Sequence, residues 1–329
     1  MAVLVSGGAG YIGSHMVLEL LDRGQTPVVV DNLSTGFRWA VPEGVAFHQG
    51  DVADGALIDR IAAAHGIDAI IHFAAKIVVP DSVADPLGYY LANTVTARSL
   101  IESAVRNRIR HFIFSSTAAV YGDVSGEPVK EDDPLNPVSP YGRSKLMSEW
   151  MLGDAAKAHD LTYVILRYFN VAGADPKGRA GQSATNATHL IKVAAQAALG
   201  RRNGLDVFGT DYPTPDGTCV RDYIHVTDLV RAHMDALAHL RAGGASLVAN
   251  AGYQRGYSVR EVTEVVRRVS GVDFPMRYAP RRPGDPPSII AANARIRASL
   301  GWTPQHDDLE AIVAQALAWE RRLHNRQTA

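Results

Sequence analysis

Three features of the chain predict an α/β fold built on a doubly wound parallel sheet, with a smaller lobe after it. Short apolar strands alternate with helical patterns over the first half. A glycine-rich turn joins the first strand to the first helix, and the second strand ends on a carboxylate. Beyond about Asn170 the texture changes to Gly-, Pro- and Arg-rich loops between shorter periodic segments. The 329 residues, 47% of them apolar, suffice for one large domain and a lobe.

Taken in order, Ala2-Val3-Leu4-Val5 reads as a buried strand, and Ser6 to Gly13 is the turn. Ser14 to Leu21 has helical spacing and stops at Gly24, and Pro27 to Asp31 is the next strand. Strand, glycine turn, helix, strand and acid make a dinucleotide-binding unit. The glycines let the backbone approach a pyrophosphate, and the helix start offers free N–H groups. Asp31 can accept hydrogen bonds from ribose hydroxyls and would repel a 2′-phosphate, so NAD is expected rather than NADP. Val45 to His48 is a strand closing at Gly50-Asp51-Val52. There Asp51 either meets the adenine amino group or serves as a turn or capping aspartate.

Residues near Ala56 to His65 are helical, and Ala69 to Ala75 is a strand running into small residues that admit a ligand close to the backbone. His15, inside the helix, is expected to be a packing or capping residue, and His72, with no ligand-spaced partner, a core residue, so no metal site is predicted. Pro86 to Asn107 forms one long helix carrying Asn93, Arg110 to Ser115 a strand leading to Thr117, and Leu161 to Leu166 another.

Between those two strands lies Ser139-Pro140-Tyr141-Gly142-Arg143-Ser144-Lys145. Ser139 suits an N-cap and Pro140 the first helical position, which puts Tyr141 in the first turn and Lys145 one turn behind it on the same face. The pair is either a general base with its cation or an ordinary surface Tyr and Lys. A base near neutrality needs the phenol lowered by about three units, or about 4 kcal/mol. One ammonium at about 4 Å supplies that only at an effective dielectric near 20, so the pair must be partly buried or helped by a second cation. Its position at the C-terminal ends of the strands, with Thr117, Asp31 and the glycine loop, favours the base.

In the second half, Val220 to Val226 follows a turn-rich stretch, helices are expected at Asp228 to Leu240 and Val259 to Val269, and Arg281 to Pro287 is a rigid basic loop. Arg221 and Arg282 are diphosphate partners or surface ion pairs. Lys plus Arg (33) nearly balances Asp plus Glu (34), which argues against nucleic acid or an anionic membrane as a partner. The single cysteine excludes an internal disulfide and a thiolate-rich metal site, and the chain opens on an apolar strand with no basic leader. A cytoplasmic protein is expected.

These residues together resemble the extended short-chain dehydrogenase/reductase superfamily, which has a Rossmann domain, and within it the UDP-glucose 4-epimerase family. The resemblance runs from the first strand to about Trp302, and the stretch from Tyr212 to Val226 is its most particular part. It implies an NAD-binding domain over residues 1–172, with parts of 220–252, and a mainly UDP-sugar-binding lobe over 173–329. It implies reversible interconversion of UDP-glucose and UDP-galactose, by transient oxidation at sugar carbon 4, rotation of the 4-keto sugar and its reduction on the other face.

Tyr141, Lys145 and Thr117 would be catalytic, with Lys145 holding the nicotinamide ribose and lowering the pKa of Tyr141, and the nicotinamide ring serving as the second cation. NAD contacts are implied for Gly7, Gly10, Tyr11, Ile12, Gly13, Asp31, Asn32, Asp51, Val52, Phe73, Ala74, Ala75, Asn93, Ser115, Tyr141, Lys145 and Tyr168. UDP-sugar contacts are implied for Thr117, Tyr141, Asn170, His189, Leu190, Arg221, Arg282 and Asp285. A homodimer through the helices that begin at Pro86 and Ser139 is implied as well.

Departures are visible too. His189-Leu190 is followed by Ile191-Lys192, where a proline is usual, and Ile289, at the position limiting the sugar 2-substituent, leaves acceptance of N-acetylated sugars open. Thr117 is followed by Ala118-Ala119, without the acids that a 4,6-dehydratase needs. A UDP-glucuronate-converting enzyme is the alternative within the fold. An NAD-binding regulator without chemistry is the alternative outside it, and it would have no need to retain Thr117, Tyr141 and Lys145 together.

Overall fold

The computed structural model describes residues 1–124, 128–185, 187–282 and 285–328. Asn186, Pro283 and Gly284, which fall in two of the predicted loops, lie outside the described residues.

In chain order the first half comprises β1 (Ala2–Ser6), α1 (Tyr11–Asp22), β2 (Thr26–Asp31), β3 (Ala46–Gln49), α2 (Gly55–His65) and β4 (Ile67–His72). Then come α3 (Val79–Ala84), α4 (Pro86–Tyr89), α5 (Thr96–Arg106), β5 (His111–Thr117), α6 (Pro140–Ala158), β6 (Thr162–Tyr168) and β7 (Asn170–Ala172). The second half comprises α7 (Leu190–Ala198), β8 (Leu205–Phe208), β9 (Val220–His225), α8 (Val226–Arg241), β10 (Leu247–Ala251) and β11 (Gly256–Ser258). It closes with α9 (Val259–Ser270), β12 (Met276–Ala279), β13 (Ser288–Ile289), α10 (Ala294–Leu300) and α11 (Leu309–Thr328).

Seven parallel strands form one sheet in the order β10-β6-β5-β4-β1-β2-β3. Six of them follow the Rossmann order, which reverses between β1 and β4 and opens a crevice there at the strands' C-terminal ends. Apolar runs such as Val28-Val29-Val30 and Ala69-Ile70-Ile71 are buried on both faces, as strands covered by helices must be. One core cluster packs α1 and α8 on the sheet, and the other packs α2, α5 and α6 on its opposite face. The second half of the chain thus returns to the first, since α8 and β10 complete this layer. A smaller sheet (β11-β9-β13, with β7 beside β9) and the pair β12-β8 carry the remaining strands.

Two expectations about helices change. The first helix starts at Tyr11, three residues earlier than its apolar spacing suggests, because Gly13 lies within its first turn. The helix expected over Pro86 to Asn107 is interrupted by a π-helical segment at Tyr90–Val95. That widened turn aims the Asn93 amide inward, where Oδ1 accepts from Lys76 N (2.8 Å) and Nδ2 donates to Lys76 O (3.0 Å) and Ser144 Oγ (3.0 Å). By contrast, α6 starts as expected. Ser139 Oγ accepts from Gly142 N at 3.1 Å, and Pro140 occupies the first helical position.

Candidate active site

The glycine loop sits at the reversal of strand order. Gly7 has φ +73°, and a Cβ there would come within 2.7 Å of Ala74 N, because the chain leaving β4 passes directly over it. A Cβ on Gly13 would sit 2.1 Å from Gly7 O, so only glycine lets α1 begin against the loop. No side chain caps α1 and no acid stands in its first turn, so its leading N–H groups are available to an anion. Asp31 is buried at the end of β2, its carboxylate accepting from Ala9 N (2.9 Å) and Leu33 N (2.8 Å). Asn32 is exposed and accepts from Ser34 N. These features fit a dinucleotide, with Gly7, Gly10 and Gly13 as its cradle.

Asp51 stands in a turn after β3. Its Oδ1 accepts from Ala53 N at 2.8 Å, and the N-cap of α2 is Asp54 instead. Val52 is buried in the core. Tyr11 donates its hydroxyl to Gly173 O at 2.7 Å, tying α1 to the chain after β7, and Ile12 packs on the core.

At the C-terminal end of β5 the structure brings Ser115, Thr117, Tyr141, Lys145 and Tyr168 together. Thr117 pairs with Tyr168 across β5 and β6, and it is buried there with Tyr141, whose pKa its hydroxyl acts to lower. Lys145 Nζ donates to Ser115 O at 2.9 Å and lies 4.9 Å from the centre of the Phe114 ring. The pair is buried, as feasibility demanded, with Tyr141 8% and Lys145 3% exposed. The expected lowering of the phenol by Lys145 is not found, however. Burial pushes Tyr141 up to about 12, opposed by the Thr117 hydroxyl. Burial also brings Lys145 down to about 8, against the pull of Glu149.

Two groups behind these residues escaped the sequence reading. Glu149, a further turn along α6 from Lys145, is buried with Arg167 in an ion pair of 2.6 Å and accepts from Ser116 Oγ. The repeat of Tyr141, Lys145 and Glu149 at every fourth position was the available signal. Glu149→Leu should lower the unfolding free energy by about 3–5 kcal/mol, the cost of stranding a buried Arg167, and denaturant titration would measure it. His233 on α8 lies against Phe73, with ring centres 4.9 Å apart. Its Nδ1 donates to Leu229 O (2.9 Å), so Nε2 accepts from Ser115 Oγ (3.1 Å). A lone histidine in the apolar stripe Leu229, Leu237 was its signal. As expected, His72 is a packing residue, bonded to Ser6 Oγ at 2.6 Å.

The other expected residues gather in two places. Asn170, His189 and Leu190 line a small cavity of about 30 Å³ with Tyr11, Gln182 and Lys192. Arg221 Nη2 lies 3.7 Å from Asp285 Oδ1, and the Arg282 guanidinium stacks 3.7 Å over the Phe208 ring. Ile289 pairs with Arg221 across β13 and β9 and is buried beside Ala118, Tyr121 and Phe169.

A family model described as "NAD dependent epimerase/dehydratase family" matches residues 3–252. The chain belongs to this family. A UDP-glucose 4-epimerase of Azospirillum brasilense is 57% identical over 98% of this chain and 92% of its own. The crystal structure of UDP-glucose 4-epimerase from Brucella ovis in complex with NAD superposes with a TM-score of 0.93, at 45% identity over 96% of this chain and 97% of that one. The enzyme from Bifidobacterium longum, solved with NAD+ and UDP, gives a TM-score of 0.94 at 36% identity over 99% of both chains. As in other NAD dependent epimerases/dehydratases, the cofactor is NAD.

Proposed function

We infer that this chain is an NAD-dependent UDP-glucose 4-epimerase, which interconverts UDP-glucose and UDP-galactose. The observation that carries the reading is the buried Thr117–Tyr141 pair at the end of β5, on a chain 57% identical to an epimerase over nearly its whole length. Bound NAD supplies the transient oxidation at carbon 4 and, through its positive ring, the charge that brings the Tyr141 phenol down from about 12.

The chain's residues do the rest. Tyr141 takes the proton from the sugar 4-hydroxyl and later returns one with the sugar turned over. Thr117 bonds the 4-oxygen and shares that proton, while Lys145, fixed by Ser115 O, holds the nicotinamide ribose. Asp31 takes the adenosine ribose. The cofactor contacts are those named from the sequence, with Asn93 holding the Lys76 backbone and Ser144 in place as well. Asn170, His189, Leu190, Arg221, Arg282 and Asp285 hold the uridine diphosphate, the arginines on phosphate oxygens. On this reading residues 1–172 with parts of 220–252 form the NAD domain, and 173–329 mainly the sugar-nucleotide lobe. Incubation with UDP-galactose should yield UDP-glucose, and a panel including UDP-glucuronate and N-acetylated sugars should leave the neutral hexoses preferred. Turnover of UDP-glucuronate alone would replace the reading. Cofactor extracted from the purified protein should be NAD, and mainly NADP would overturn the role of Asp31.

The assembly is proposed to be a homodimer in the cytoplasm, acting in galactose metabolism. Leu87, Leu91 and Val95 follow helical spacing on α4 and its continuation, and they are exposed, as are Met147 and Trp150 (59%) on α6. Such a stripe on two adjacent helices is suited to a second copy. Trp150→Asp should sediment as a monomer where the wild type sediments as a dimer.

A further inference from the structure

Lys192 and Glu320 form a buried ion pair that the chemistry at carbon 4 does not require. Lys192 Nζ donates to the Glu320 carboxylate and to Gln182 O, the latter at 2.7 Å. Both side chains are at most 4% exposed. On α11, Glu320 also receives Arg201 Nη1 (3.3 Å) and Gln196 Nε2 (3.5 Å). A buried pair of this kind is often no more stabilising than two apolar side chains of the same volume, so its worth lies in what it positions.

What it positions is the segment 181–183. Gly181 lies on the Trp319 indole, where a Cβ would come within 2.3 Å of Cγ, and Trp319 Nε1 donates to Ser183 Oγ at 3.3 Å. Between them Gln182 is tied by its carbonyl to Lys192, and its Oε1 accepts from Ala184 N at 3.2 Å. Its amide nitrogen reaches His189 Nδ1 at 3.4 Å. Because that nitrogen can only donate, His189 Nδ1 accepts and Nε2 carries the proton. Burial, and after it the Lys192 charge, lowers the His189 pKa, which keeps the ring in that neutral form.

We propose that Lys192 and Glu320 are positioning residues for the sugar nucleotide. They tie α11 to the loop at 181–183 and, through Gln182, hold His189 with its Nε2–H presented as a donor. The inference rests on the reading of His189 as a nucleotide contact. A proline at position 192 could not make this link.

The test compares single and double variants of the full-length holoenzyme. Glu320→Met alone strands the buried Lys192, and Lys192→Met leaves Glu320 only the partly exposed Arg201 as an ion-pair partner, so both should melt at lower temperature. The double variant should recover the melting temperature, yet its KM for UDP-galactose should stay about tenfold above wild type with kcat within about twofold, the scale of one lost hydrogen bond to a charged group. Gln182→Leu breaks the same chain while sparing the ion pair. It should raise KM by a similar factor with no change in melting, whether or not the double variant folds. Wild-type KM in Gln182→Leu, or in a folded double variant, overturns the proposal. Wild-type protein that turns over no UDP-sugar and binds no UDP overturns the underlying reading instead.

Discussion

Tyr141→Phe is expected to reduce interconversion of UDP-galactose and UDP-glucose by about a thousandfold or more, the scale of a lost acid–base group. The variant should keep NAD, because the glycine cradle, Asp31 and the Lys145–Ser115 bond do not involve the phenol oxygen. Packing should change little, since the ring stays buried and only the phenol oxygen is lost. The measurement is turnover of UDP-galactose together with the NAD content of the purified variant. Turnover within tenfold of wild type would remove Tyr141 from the chemistry, and loss of NAD would make it a cofactor residue first.

Acid should unfold the protein sharply, and here histidines decide the matter. Burial lowers His72 to about 3 and His15, His225 and His233 to about 4, so all four fold as neutral rings. Their surroundings have no use for a second proton. His15 Nε2 has no hydrogen-bond partner among the described residues, and His225 accepts from Thr227 N on one side while bonding Gln315 on the other. In the unfolded chain each ring takes a proton near pH 6.5, so the unfolded state binds more protons between 6.5 and the folded pKa. Stability is therefore complete above about pH 6.5 and falls as pH drops toward 4. At pH 5 each ring costs about 2 kcal/mol, and the four together about 8, comparable with the whole stability of an ordinary domain. Melting temperatures at fixed NAD between pH 7.5 and 5 should fall steeply. A flat profile would mean that the rings are protonated in the folded state.

Local chemistry made much of the fold legible. The β-branched runs of the first sheet, the glycine loop and the Ser139–Pro140 helix start carry their conformational preferences within a few residues. The π-helical segment at Tyr90–Val95 does not, since its widened turn is fixed by the bonds of Asn93 to Lys76 and Ser144. Asp51 is a plausible cap by sequence, and the chain path gives that place to Asp54 instead.

By itself, the sequence determined the alternation of elements, the dinucleotide turn with its acid, and the Tyr141–Lys145 spacing, because each depends on periodicity or on backbone freedom at named positions. The tertiary structure alone decided where charges go. It turned Lys145 toward Ser115, and it raised the Tyr141 phenol by burying it. It buried Glu149 against Arg167 and Lys192 against Glu320, and set His233 beneath Ser115. Those partners lie far apart in the chain, and a charged side chain's energy depends on what surrounds it in space, which spacing along the chain does not encode. The heptapeptide from Ser139 to Lys145 thus supplies the base and its helix. The setting that adjusts that base is assembled from β5, β6 and α8.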